Sequence, residues 1–132
     1  MEQPSRSRVP RKPLGFPKAF RLLRSTDYLE VYDRGQRRNL NWLVVFLLRT
    51  DRPLSRVGLT VPRRLGPAVD RNRIKRKLRE AVRIHIAELG PGWDLVLHPR
   101  AQALKLPMPE MKKTMTRLFR DCAKQAGGVR AG

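Results

Sequence analysis

The sequence predicts an α/β fold of the α+β kind: a small sheet with helices packed against it, its elements ordered α-β-β-α-β-α. Three observations carry this. Short runs rich in β-branched and large apolar residues lie between turn signals. One long stretch repeats apolar residues at helical spacing and stops at Gly90-Pro91-Gly92. That stretch lies between two of the strand-like runs, so helices and strands interleave. At 132 residues the chain suits one domain. Its 40% hydrophobic content suffices for a core, and 6% aromatics make that core mostly aliphatic.

Residues 1–19 hold Pro4, Pro10, Pro13 and Pro17 among basic residues, with no hydrophobic period. They read as a disordered basic Pro-rich arm, either solvated or able to fold onto RNA. A single domain is expected over 20–126. Ser25-Thr26-Asp27 predicts a helix N-terminus. Tyr28, Leu29, Val31 and Tyr32 follow at helical spacing and Gly35 is a stop, giving a helix over 26–34. Leu40 to Leu48 predicts a strand, apolar on both faces in its middle and therefore central in the sheet. After the turn at Asp51-Arg52-Pro53, residues 55–61 predict a second strand, expected to pair with the first as a hairpin. Residues 62–69 form a loop, and Asp70 is placed to cap the long helix. Ile74, Leu78, Ala81, Val82, Ile86 and Leu89 make its continuous apolar stripe. Trp93 to Leu97 predicts the third strand, ended by Pro99. The last helix is expected over 109–126, with Met111, Met115, Leu118, Phe119 and Cys122 inward. Gly127 and Gly128 are expected to end it, leaving 127–132 as a flexible tail.

Charge is the dominant feature. Thirty Lys+Arg against 11 Asp+Glu give a formal net charge of +19. A compact domain with that charge repels itself, so a polyanion is expected to offset it in use. Nucleic acid leads, ahead of an anionic membrane surface and an acidic protein. The preference for Arg over Lys suits phosphate and base recognition, although a GC-rich genome produces the same bias. One cysteine, Cys122, excludes an internal disulfide and zinc-ligand spacing. The first residues lack the apolar segment of a secretory signal, and the longest apolar run, Trp42 to Leu48, is far short of a membrane span. A cytoplasmic protein with no membrane association is expected.

The most informative stretch is Arg71-Asn72-Arg73-Ile74-Lys75-Arg76-Lys77-Leu78-Arg79, in which six of nine residues are basic. Ile74 and Leu78 anchor this helix in the core, so its outer face is expected to present Arg73, Arg76, Lys77, Arg79 and Arg83. Fixed on a rigid element, these cations form a ridge able to follow a phosphate backbone. Asn72 adds a neutral donor and acceptor suited to a ribose hydroxyl or base edge. Tyr28 and Tyr32 share one helix face, and with Phe46 they are either core aromatics or the walls of a groove for single-stranded nucleic acid. The sequence offers no nucleophile with a partner base, no carboxylate cluster for two metal ions and no phosphate-binding glycine loop. His85 sits beside the apolar stripe and reads as structural; His98 is the one other histidine. A protein of this kind would not supply the reacting groups of a reaction it serves.

The run V-G-L-T-V (57–61), the basic loop R-R-L-G (63–66) and A-V-D-R-N-R-I-K-R-K-L-R-E-A (68–81) are very similar to the signature of the bacterial ribonuclease P protein subunit. The flanks agree in order, and the resemblance covers about residues 20–125. It implies a two-layer sandwich, ribosomal protein S5 domain 2-like, with a left-handed βαβ crossover where general rules favour the right-handed form. It also implies a protein cofactor of a ribozyme. Its partners would be the catalytic RNA of ribonuclease P and precursor tRNA, with no obligate protein partner, and Mg²⁺ would be held mainly by the RNA. Arg71, Asn72, Arg73, Lys75, Arg76 and Arg79 match the RNA-contacting motif, Arg63 and Arg64 match basic positions before it, and Tyr28, Tyr32 and Phe46 match leader-contacting aromatics. Pro62 stands where serine is usual, and His98-Pro99-Arg100 replaces the usual Arg-containing turn. The rival readings are a ribosomal or ribosome-assembly RNA-binding protein, a stand-alone nuclease, and a DNA-binding protein using the same helix in a major groove.

Overall fold

The run from Leu43 to Arg49 is apolar on both faces of its pleat, and the fold covers both. The computed structural model describes residues 20–131, with side chains to residue 125; the expected N-terminal arm lies outside the described residues. The helix α1 (Ser25–Arg34) leads into β1 (Gln36–Asn39), β2 (Leu43–Arg49) and β3 (Arg56–Leu59). The long helix α2 (Ala68–Leu89), β4 (Trp93–Pro99) and α3 (Met108–Ala131) follow. Short 3-10 turns at Arg63–Leu65 and Ala101–Leu104 precede α2 and follow β4. The sheet runs β1-β2-β4-β3. Its first two pairings are antiparallel, and β3 pairs with β4 in parallel, so α2 is the crossover between adjacent parallel strands.

Pleat alternation assigns the two faces. Leu43, Val45, Leu47, Val57, Trp93, Leu95 and Leu97 pack with Ile74, Leu78, Ala81, Val82 and Leu89 of α2, and with Met111, Met115, Leu118, Phe119 and Cys122 of α3. The predicted stripe is therefore the core stripe, with Ile86 partly buried at its margin. The opposite face carries Leu48 and Val96, against which Val31 of α1 and Leu22 pack, with Tyr28 and Phe46 alongside. The sheet with α2 and α3 makes the predicted two layers, and α1 is a partial third. A ten-residue helix spans only about 15 Å, so part of that face stays open.

Four expectations are corrected. A strand precedes the first predicted one: Gln-Arg-Arg-Asn at 36–39 forms edge strand β1, giving the order α-β-β-β-α-β-α. It carries no hydrophobic pattern because an edge strand this polar is held by its ladder to β2. The turn that returns the chain needs Asn41 in the left-handed region, φ 75°, where its N–H reaches Asn39 Oδ1 at 3.0 Å. Second, 43–49 and 56–59 do not form a hairpin, because β4 lies between them. The linking loop is pinned at the start of β4: buried Ser55 donates to the Gly90 carbonyl at 2.6 Å and accepts from Trp93 N–H at 3.0 Å. Third, neither predicted cap acts as one. Arg24 and Pro67 occupy the N-cap positions, without side-chain caps, and Asp27 receives Arg56 instead. Fourth, α3 continues through Gly127 and Gly128 to Ala131. A helical glycine costs about 1 kcal/mol relative to alanine but leaves the backbone donor in place, so two glycines without a proline do not stop the helix.

Candidate nucleic-acid interface

The cationic ridge is built from the core outwards. Ile74 and Leu78 are fully buried, which fixes the rotation of α2 and leaves Asn72, Arg73, Arg76 and Arg79 exposed. Arg71 and Lys75 lie half-buried beside them. Arg63 and Arg64 are exposed on the 3-10 turn just before the helix. Arg71 Nε donates to the Gly66 carbonyl at 3.1 Å, and Gly66 (φ 137°) supplies the turn that joins the two segments. Among the described residues, no carboxylate lies within salt-bridge distance of Arg63, Arg64, Arg71, Arg73, Lys75, Arg76 or Arg79. Their charge is therefore available to an external anion.

Two predicted ridge members are placed differently. Lys77 does not face outwards: its Nζ donates to the carbonyls of Ala103, Leu104 and Leu106 at 2.9, 3.0 and 2.6 Å. It collects carbonyls of the second 3-10 turn, which packs against α2, and of Leu106 just after it. Burial there pulls its pKa down. Arg83 is held by Glu80 through two bonds of 3.2 and 2.6 Å, one helical turn apart, which neutralises it locally. The guanidinium in turn holds the Glu80 carboxyl below its ordinary range.

The aromatics gather on the open part of the α1 face. Tyr32 and Phe46 meet edge to face with centroids 5.0 Å apart. His98 completes the group at 5.5 Å from Tyr32 and 5.2 Å from Phe46. Tyr32 Oη lies 2.7 Å from His98 Nε2 and 3.3 Å from Thr60 Oγ1. Burial, then the charge of Arg64, lowers the His98 pKa. Tyr28 is not a free stacking surface. Its ring lies over Gly58, where an added Cβ would come within 2.5 Å of Oη, and its hydroxyl donates to the Leu22 carbonyl at 3.3 Å. Burial raises the Tyr28 pKa while Arg79, among others, opposes the rise. Tyr28 thus walls the groove, while Tyr32, Phe46 and His98 line it. His98 was not among the predicted groove residues, although the alternation of β4 (Asp94, Val96, His98) places it on this face.

On the same sheet face, at the opposite end of β4 from His98, Arg56 links three elements. It holds the buried Asp94 of β4 through Nε–Oδ1 and Nη2–Oδ2 contacts of 3.1 and 2.8 Å, and reaches Asp27 of α1 at 3.2 Å. These bonds raise the Arg56 pKa and fasten α1 to the sheet. His85, as expected, is structural, set between Glu88 and Thr116. Among the described residues no three His, Cys, Asp or Glu side chains gather to hold a metal ion. Among them also, no helix is long and apolar enough to cross a membrane.

A mixed sheet backed by two helices, with an exposed cationic helix face beside an aromatic groove, defines a small α+β protein whose surface suits a polyanion. A family model described as Ribonuclease P matches residues 16–123. The ribonuclease P protein component of Roseiflexus castenholzii is 35% identical over 113 residues, covering 85% of this chain and 93% of that protein. That of Symbiobacterium thermophilum is 38% identical over 103 residues, covering 77% and 90%. The structure of the Staphylococcus aureus RNase P protein superposes with a TM-score of 0.68 at 25% identity, covering 78% of this chain and 94% of that one. The Thermotoga maritima RNase P protein gives 0.69 at 26%, covering 76% and 96%. The chain belongs to the ribonuclease P protein component family, the protein subunit of an endoribonuclease that acts in tRNA processing. The ribosomal alternative is not favoured.

Proposed function

We propose that this chain docks on the catalytic RNA of ribonuclease P through the α2 ridge and holds the 5′ leader of precursor tRNA in the groove beside α1. The single observation that carries this is contiguity. Arg64, on the turn that leads into α2, lines the same cleft as Phe46 and His98, so ridge and groove adjoin. Exposed cations supply affinity for folded RNA. The aromatics supply a sequence-tolerant platform for an unpaired strand. With the chain docked on the catalytic RNA and the leader held in the groove, the substrate is positioned for cleavage by the RNA, which binds the Mg²⁺, in the cytoplasm. The chain's own residues bind and orient. Cations placed between the two RNAs also offset their mutual phosphate repulsion, which lowers the Mg²⁺ needed to bring them together.

Reconstitution tests this reading. The purified chain mixed with ribonuclease P RNA should stimulate removal of the leader at low Mg²⁺. Equal cleavage with and without the chain, or cleavage by the chain alone, contradicts it.

A further inference from the structure

The two arginines of β1 have opposite fates. Arg38 opposes Val45 in the ladder, so it projects to the α3 side, where Asp121 lies 3.8 Å away. Arg37 opposes Phe46, and directly opposed residues share a face. Arg37 therefore projects onto the open part of the α1 face. It is exposed, and no carboxylate lies within salt-bridge distance among the described residues. In the next row of that face, Val44 opposes His98. Phe46, His98 and Val44 floor a cleft of about 230 Å³ whose rim carries Arg37, Arg64 and Arg100. Arg100 is exposed but held in place, its Nη1 donating to the Asn41 carbonyl at 3.0 Å. Guanidinium carries five donors, so this tie leaves most of them for a ligand. From β1 across β2 to β4 the floor is about 10 Å wide, given strand spacings near 4.8 Å, which is the width for one strand of nucleic acid and not a duplex.

We propose that Arg37 and Arg100 extend the single-strand site to the β1 edge, holding leader phosphates on either side of a base seated against Phe46 and His98. The inference rests on the leader-binding reading above and adds residues to it. Neither arginine belongs to the basic run of α2; the ladder register sets Arg37 on the open face, and the cleft there brings Arg100 beside it.

The test uses holoenzyme reconstituted with ribonuclease P RNA and two substrates, one with a long leader and one with a single-nucleotide leader. A single-strand phosphate contact contributes a salt slope of about 0.7, which is about a fivefold loss of affinity at roughly 0.1 M salt. Arg37→Ala should lose about that factor on the long leader, lower the slope by about 0.7, and leave the short leader unchanged. Arg37→Lys, which keeps the charge, should restore most of the slope. Adding Arg100→Gln should lower the slope by about 0.7 more. If the wild type does not distinguish the two leaders, the leader-binding reading itself fails. If it does distinguish them but Arg37→Ala matches it on both, or weakens both equally, the extension to β1 is overturned and the groove stands without it.

Discussion

Replacing Lys77 with methionine separates the two roles that basic residues play on α2. The substitution keeps the length and apolar stem of the side chain and removes three donors to the carbonyls of Ala103, Leu104 and Leu106. A hydrogen bond from a charged donor contributes about 1.5–3 kcal/mol, so independent bonds would sum to several kcal/mol. Two effects reduce that figure. The ammonium has been partly desolvated, as its lowered pKa shows, and the half-buried turn lets water reach some of the released carbonyls. The net loss should be about 2–3 kcal/mol. For a domain of this size that lowers Tm by about 10 °C. Urea unfolding followed by circular dichroism gives the stability, and filter binding to ribonuclease P RNA under folding conditions gives the affinity. Lys77→Met should be less stable yet bind RNA within about twofold of wild type once folded. Arg76→Ala, on the exposed face, should show the reverse: stability within about 0.5 kcal/mol of wild type and weaker RNA binding. A Lys77→Met protein of unchanged stability and much reduced RNA affinity would refute the placement of Lys77 in the fold rather than on the ridge.

Asp94→Asn leaves the Arg56 guanidinium facing a neutral partner at a buried site. It should cost about 3 kcal/mol in urea unfolding, the low end for breaking a buried pair because Asp27 still offsets part of the charge. His98 binds a proton less readily folded than unfolded, so as pH falls the unfolded chain protonates first. Stability should decline as pH drops through about 6.5 towards the lower folded value, before carboxylates titrate, and His98→Gln should flatten that part of the curve. Burial pushes the Cys122 thiol up to about 11. Iodoacetamide at neutral pH should leave the folded protein unmodified and alkylate it in denaturant; rapid labelling of the native protein would mean that the α3 face opens.

The long helix, its stripe and its basic outer face were legible because helical periodicity reports both sides of a helix at once: Ile74 and Leu78 mark the inside, and Arg73, Arg76 and Arg79 follow as the outside. The central strand was legible because Leu43 to Leu48 is apolar on both faces. Strand β1 was not, since Gln36–Asn39 is polar and is placed by its partner. The hairpin expectation failed because the ladder partner of a strand is a long-range property: Ser55, which pins the loop to the 90–93 turn, looks from sequence like any turn serine. The same limit explains Lys77 and His98. A lysine in a basic run has no local mark that its amine will collect three carbonyls some 26–29 residues away. A histidine at a strand end has none that it will meet Tyr32, 66 positions earlier. The spacing of Tyr28 and Tyr32 raised the aromatic groove as one of two readings, family resemblance favoured it, and the register of the sheet assigned its floor.

If the exposed cations of α2 and of the turn before it grip RNA phosphates, as we propose, the salt dependence of binding reports it most directly. With about six phosphates engaged, affinity for ribonuclease P RNA should fall about 10³-fold between roughly 50 and 200 mM salt. Replacing Arg73 and Arg76 together with alanine should make the slope shallower by about two while the circular dichroism spectrum stays that of the wild type. A flat response in the wild type, or an unchanged slope in the double variant, would contradict the account.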